Sequence, residues 1–94
     1  MQRFTEKMND GRYQTKQDAV VPSREGYIGP AIERLGQVEE LMEFLTKQQE
    51  QLSKDLESLR MQGKTHSARF RDKMAQKLTN SHILSALRPA FGDR

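Results

Sequence analysis

A heptad repeat between residues 28 and 59 constrains the fold more than any other feature of the chain. Counted from Ile28, the first and fourth positions of five successive heptads alternate at spacings of three and four residues. Nine of these ten positions are apolar. Such a repeat predicts a long helix whose apolar stripe packs against another helix. The ten positions are Ile28, Ala31, Leu35, Val38, Met42, Leu45, Gln49, Leu52, Leu56 and Leu59.

Helix start and stop signals bracket this repeat. Gly29-Pro30 favours a helix start, because proline at the first helical position lacks only an N–H that would be unpaired there. Gly63 follows Arg60 at the other end and is typical of a left-handed capping residue. The pattern therefore predicts one long helix over residues 27–62, which is too long for a chain of 94 residues to cover by itself.

The stripe predicts an oligomer interface. Leu41 widens it and favours a bundle over a two-stranded seam. Gln49 is the one polar seam position, and either it fixes helix register or it lies in a solvated stretch. The expected interface residues are Ile28, Leu35, Val38, Leu41, Met42, Leu45, Gln49, Leu52, Leu56 and Leu59.

Residues 1–26 are polar and rich in turn signals. They predict a flexible or extended N-terminal arm, with two local alternatives. Phe4 and Met8 lie four apart, as on a short helix, while Asp10-Gly11 would suit the turn of a weak hairpin. Ala19-Val20-Val21 is the one apolar run of this segment. Pro22 favours an extended conformation at Val21, so the run could dock on a helix.

Residues 63–94 predict a second, basic helix, or two short ones divided near Asn80. Thr65 or Ser67 could cap its start, and Phe70, Met74 and Leu78 would form its core stripe. A short connector at Gly63 would fold this helix back on the first. The expected fold class is therefore all-α: a long coiled-coil helix folded back as an unequal helical hairpin, in a dimeric or higher bundle.

Charge is divided unevenly along the chain. Residues 1–26 carry +1, residues 27–62 carry −3 and residues 63–94 carry +5, within a net charge of +3. Arg69, Lys73 and Lys77 lie at four-residue intervals and so share one helix face. This row is a candidate nucleic-acid contact, although salt bridges to the acidic helix explain it more simply.

No motif indicates catalysis or a bound cofactor. Gly63-Lys64-Thr65 resembles the end of a phosphate-binding loop, but Ser58 stands where the first glycine would be. His66 and His82 lack metal-ligand spacing, and no cysteine is present. We therefore expect neither an enzyme, nor a cofactor, nor a metal site.

The remaining expectations concern location and partners. The absence of cysteine fits a reducing cytoplasm, and no apolar run is long enough to cross a membrane. The sequence predicts a small protein that works by protein–protein interaction, as a homo-oligomer and as an adaptor, scaffold or regulator. Binding a helix of a different protein is a further option, and binding RNA or DNA is the alternative function.

Overall fold

The computed structural model describes residues 1–92. Four short strands precede two helices: β1 (Thr5–Lys7), β2 (Tyr13–Thr15), β3 (Val21–Pro22), β4 (Tyr27–Ile28), α1 (Pro30–Met61) and α2 (Ala68–Leu87). A 3-10 helix, Arg88–Phe91, follows α2. The chain forms two compact units, Met1–Glu40 and Leu41–Arg94, and the boundary falls within α1.

The prediction of an all-α coiled-coil hairpin is wrong. The chain is α+β and 61% helical, with two separate two-stranded antiparallel sheets in its first 28 residues. In the first sheet Thr5 lies opposite Thr15, and in the second Val21 lies opposite Ile28. These strands have only two or three residues each, too few for an alternating pattern to stand out from a polar sequence.

Tight turns join the strands of each sheet. In the first, Gly11 has φ +88° and its amide donates to the carbonyl of Met8 at 3.0 Å. In the second, the amide of Ser23 donates to the carbonyl of Gly26 at 2.7 Å. Gly11 accepts a positive φ at no steric cost, so the local sequence specifies the turn of the first sheet.

The unit Met1–Glu40 is held together at the start of α1. The amide of Ala31 donates to the carbonyl of Ala19 at 3.0 Å, which satisfies one of the helix's unpaired first amides. Gly29 has φ +132°, and a Cβ there would lie 2.4 Å from the Ala19 oxygen. A residue bulkier than glycine at position 29 would therefore force the chain away from the Ala19 carbonyl.

A second contact joins the first residues of the chain to α1. The Arg34 guanidinium lies over the Phe4 ring at 4.2 Å and donates to the carbonyl of Gln2.

The unit Leu41–Arg94 has its core between the two helices. Six side chains in it are at most 7% exposed: Leu45, Leu52, Leu56, Leu59, Asn80 and Leu84. Gly63 has φ +69°, and the amides of Gly63 and Lys64 donate to the carbonyls of Arg60 and Leu59. This is the Schellman arrangement, and it ends α1 where the glycine predicts.

Ser67 caps the start of α2, and its hydroxyl accepts from the Phe70 amide at 3.1 Å. The helix continues without a break through Asn80, so the alternative of two short helices does not occur. Contacts between its side chains and α1 fix the direction of the pair. Residue numbers fall along α2 as they rise along α1, and the two helices are therefore antiparallel.

Candidate interaction surface

The second half of the predicted heptad stripe is covered within the chain. Leu45, Leu52, Leu56 and Leu59 are buried, and Leu84 of α2 is 3% exposed in the same core. In the chain alone these leucines are therefore already covered. They are not a free surface for a second copy.

The first half of the stripe is largely uncovered. Leu35 is 52% exposed and Leu41 is 46% exposed, while Val38 and Met42 are half-buried. Ile28, predicted as the first seam position of the helix, lies instead on β4 and is 55% exposed. Phe44, outside the heptad positions, adds a ring that is 59% exposed. The exposed apolar side chains of α1 thus concentrate in its N-terminal half.

The face that α2 turns towards α1 differs from the predicted one. Met74 and Leu78, expected in the core, are 41% and 59% exposed. Seven residues of α2 have reduced exposure, and four of them are polar: Phe70, Lys73, Lys77, Asn80, Ser81, Leu84 and Leu87. Apart from Ser81, which follows Asn80 directly, they recur at spacings of three and four. The stripe Phe70–Met74–Leu78 therefore flanks the helix contact and leaves apolar side chains facing solvent.

Amide side chains link the helices at the centre of the contact. The Asn80 side chain is 1% exposed; its Nδ2 donates to Gln48 Oε1 at 2.7 Å, and its Oδ1 accepts from Gln76 at 2.8 Å. Gln49 Nε2 donates to the carbonyl of Lys77 at 3.0 Å and to the Ser81 hydroxyl at 3.2 Å. Gln49 Oε1 is buried without a partner among the described residues. Polar groups therefore set the register of the two helices.

The predicted basic row does not form a free surface. Lys73 Nζ lies 2.8 Å from Asp55 Oδ2, with side-chain exposures of 23% and 31%. This hydrogen bond, with a second from Gln51, lowers the pKa of the Asp55 carboxyl. Lys77 is half-buried, and Arg69 is exposed. Of the three candidate nucleic-acid contacts, then, one is neutralised, one is partly covered and one is open to solvent.

Sequence reasoning missed Asn80 because it followed apolar residues alone. The spacing that identifies the inner face of α2 was present in the sequence, since the residues from Phe70 to Leu87 step by three and four throughout. Lys73, Lys77 and Asn80 interrupted its apolar character. A search for periodic positions that can be satisfied by the acidic and amide residues of α1 would have found it.

Comparisons with protein-family models, with curated proteins and with solved structures find no match. Within residues 1–92, no helix has both the length and the apolar character needed to cross a membrane. In the same part of the chain, no three His, Asp or Glu side chains converge as a metal site would require.

Proposed function

We propose that this protein is a non-enzymatic interaction module that associates with a second copy of itself through two exposed helical stripes. The observation that carries the proposal is the exposure of large apolar side chains on both helices beside charges of opposite sign. A scaffold or regulatory role in the cytoplasm would use this association.

The acidic stripe consists of Ile32, Leu35 and Glu39 on α1. Ile32 and Leu35 are 36% and 52% exposed, and Glu39 is exposed. Their spacing of three and four residues places all three on one helix face. No ion pair involves Glu39 among the described residues, so its charge is available to a partner.

The basic stripe consists of Arg71, Met74 and Leu78 on α2. Met74 and Leu78 are 41% and 59% exposed, and Arg71 is exposed. The spacing again follows three and four residues, so that this stripe also forms one face. Arg71 makes no ion pair within residues 1–92. The basic stripe therefore presents apolar groups beside a cation, whereas the acidic stripe presents them beside an anion.

A second copy fits these surfaces because each copy supplies both members of a complementary pair. Two acidic stripes facing each other would bring like charges together, whereas an acidic stripe on a basic one pairs Glu39 with Arg71. Fully burying an exposed leucine-sized side chain contributes about 1.5–3 kcal/mol, so each of these half-covered side chains contributes about half of that. Association itself costs at least about 4 kcal/mol. Four apolar side chains per contact therefore support a concentration-dependent association and not an obligate one.

The test is the absolute mass of the protein across a dilution series, by light scattering. We expect the mass to rise above the 10.9 kDa of one chain with concentration. Glu39→Lys should abolish the rise by placing two cations together, and the double variant Glu39→Lys/Arg71→Glu should restore it. Glu40→Lys is the matched control, because Glu40 lies about 100° further around the helix and carries the same charge change.

Three results would contradict the proposal. A single-chain mass at every concentration would mean that the stripes bind a different protein or nothing. Equal losses for Glu39→Lys and Glu40→Lys would mean that net charge alone matters. Assembly that appears only with an RNA or DNA duplex would favour the nucleic-acid alternative, which the ion pairing of Lys73 argues against.

A further inference from the structure

A cavity of about 310 Å³ opens where the end of α1 meets the start of α2. Its lining includes three cations, Lys64, Arg69 and Lys73, against one carboxylate, Asp55. This volume reaches the lower end of the range of small-molecule pockets. The cavity lies wholly within the unit Leu41–Arg94 and includes no residue of the acidic or basic stripe.

The charges of the lining do not cancel. Lys73 is paired with Asp55 at 2.8 Å, so that these two groups neutralise each other. Arg69 and Lys64 are exposed and have no ion pair among residues 1–92. Arg69 nonetheless lies close enough to Asp55 to help lower the pKa of its carboxyl. Two positive charges therefore remain at the cavity.

The cavity also offers a neutral donor. The Ser58 hydroxyl oxygen accepts from Gln62 Nε2 at 3.0 Å, which leaves its own O–H free to donate. Ser58 and Gln62 both belong to the lining. The start of α2 and the end of α1 add partial charges of opposite sign, so the helix ends contribute little net charge and the side chains set the sign of the cavity.

We propose that this cavity binds a dianionic phosphate, either free or as the terminal phosphomonoester of a small molecule. Arg69 binds two phosphate oxygens through its planar fork, Lys64 contributes a mobile ammonium, and Ser58 donates its hydroxyl. Lys73 neutralises Asp55 within the lining and so keeps the carboxylate from repelling the anion. Binding is independent of self-association.

The experiment titrates the full chain with inorganic phosphate at constant ionic strength, with chloride as the balancing anion, and follows backbone amide shifts by NMR. We expect saturable shifts at residues 58–73. Arg69→Gln should weaken binding by about tenfold or more, the loss of one charge-assisted contact. Lys54→Gln is the matched control, because Lys54 is exposed on α1 outside the cavity lining.

The melting temperature separates binding from folding, since Arg69 is exposed and its replacement should leave the temperature unchanged. Shifts that stay linear in phosphate, or equal losses in both variants, would overturn the proposal in favour of unspecific screening. Binding of inorganic phosphate but not of glycerol monophosphate would identify free phosphate as the ligand, whereas binding of neither better than chloride would overturn the proposal. A nucleic acid that binds the same residues while phosphate does not would show that the ligand class is wrong.

Discussion

The Gln48–Asn80 hydrogen bond provides a quantitative test of how the two helices are joined. Asn80 is 1% exposed and Gln48 is half-buried, with 2.7 Å between donor and acceptor. In Gln48→Leu the buried Asn80 amide loses its acceptor, and in Asn80→Leu the Gln48 oxygen loses its donor. Each unsatisfied group should cost about 1–3 kcal/mol of unfolding free energy. For a domain of this size, 1 kcal/mol lowers the melting temperature by about 4–8 °C.

The double variant Gln48→Leu/Asn80→Leu should recover most of this loss, because replacing both partners with apolar groups leaves neither of them unsatisfied. The Gln76 amide, which donates to Asn80 Oδ1, is exposed and can turn to water. Urea denaturation followed by circular dichroism at 222 nm, at low protein concentration, gives the four free energies of the cycle. We expect a coupling energy of about 1 kcal/mol or more. Additive effects within about 0.5 kcal/mol would refute the contact, as would a single variant as stable as the original chain.

Three further predictions concern backbone, core and charge. Gly29→Ala should lower the unfolding free energy by about 1–3 kcal/mol, because φ is positive there and the new Cβ meets a carbonyl. Gly36→Ala should raise it by about 0.5–1 kcal/mol, as at any open helical site. Urea titrations measure both free energies, and a Gly29→Ala chain more stable than the Gly36→Ala chain would contradict the backbone at Gly29. Leu56→Ala should cost about 2–5 kcal/mol and Leu78→Ala less than about 0.5 kcal/mol, so similar melting temperatures would contradict the burial pattern. Since the pKa of the Asp55 carboxyl is lowered in the folded chain, its ion pair stabilises fully above the ordinary pKa of 3.8, and this contribution disappears as pH falls through the lowered value; acid titration of Asp55→Asn should lack that part of the pH dependence, and an unchanged profile would count against the pair.

The two helices were largely predictable because their signals are local. Pro30 begins α1 and Gly63 caps its other end, because proline and glycine have strong backbone preferences. Ser67 caps α2 with its own side chain. Such signals act within one turn of chain, so a single sequence is enough to find them.

Of the two alternatives for the first residues, the hairpin turning at Asp10-Gly11 is the one that forms, as the first sheet. The second sheet and the inner face of α2 depend on contacts that the sequence pattern hides. In the second sheet Pro22 lies opposite Tyr27, a pairing that no alternation of apolar residues announces. Lys73 faces α1 because Asp55 lies opposite it, and Asn80 because Gln48 does. These polar side chains are covered only once the partner helix is in place. Met74 and Leu78 are exposed for the same reason, because polar residues take part of the face of α2 that packs on α1.

The most direct test of self-association mixes two variants that should each be single chains. Glu39→Lys presents two basic stripes and Arg71→Glu presents two acidic ones, so neither should associate with itself. In an equimolar mixture every contact again pairs opposite charges, and sedimentation equilibrium should show the two chains together. A mixture that sediments as separate chains, under conditions where the original protein associates, would contradict the pairing of the acidic stripe with the basic stripe.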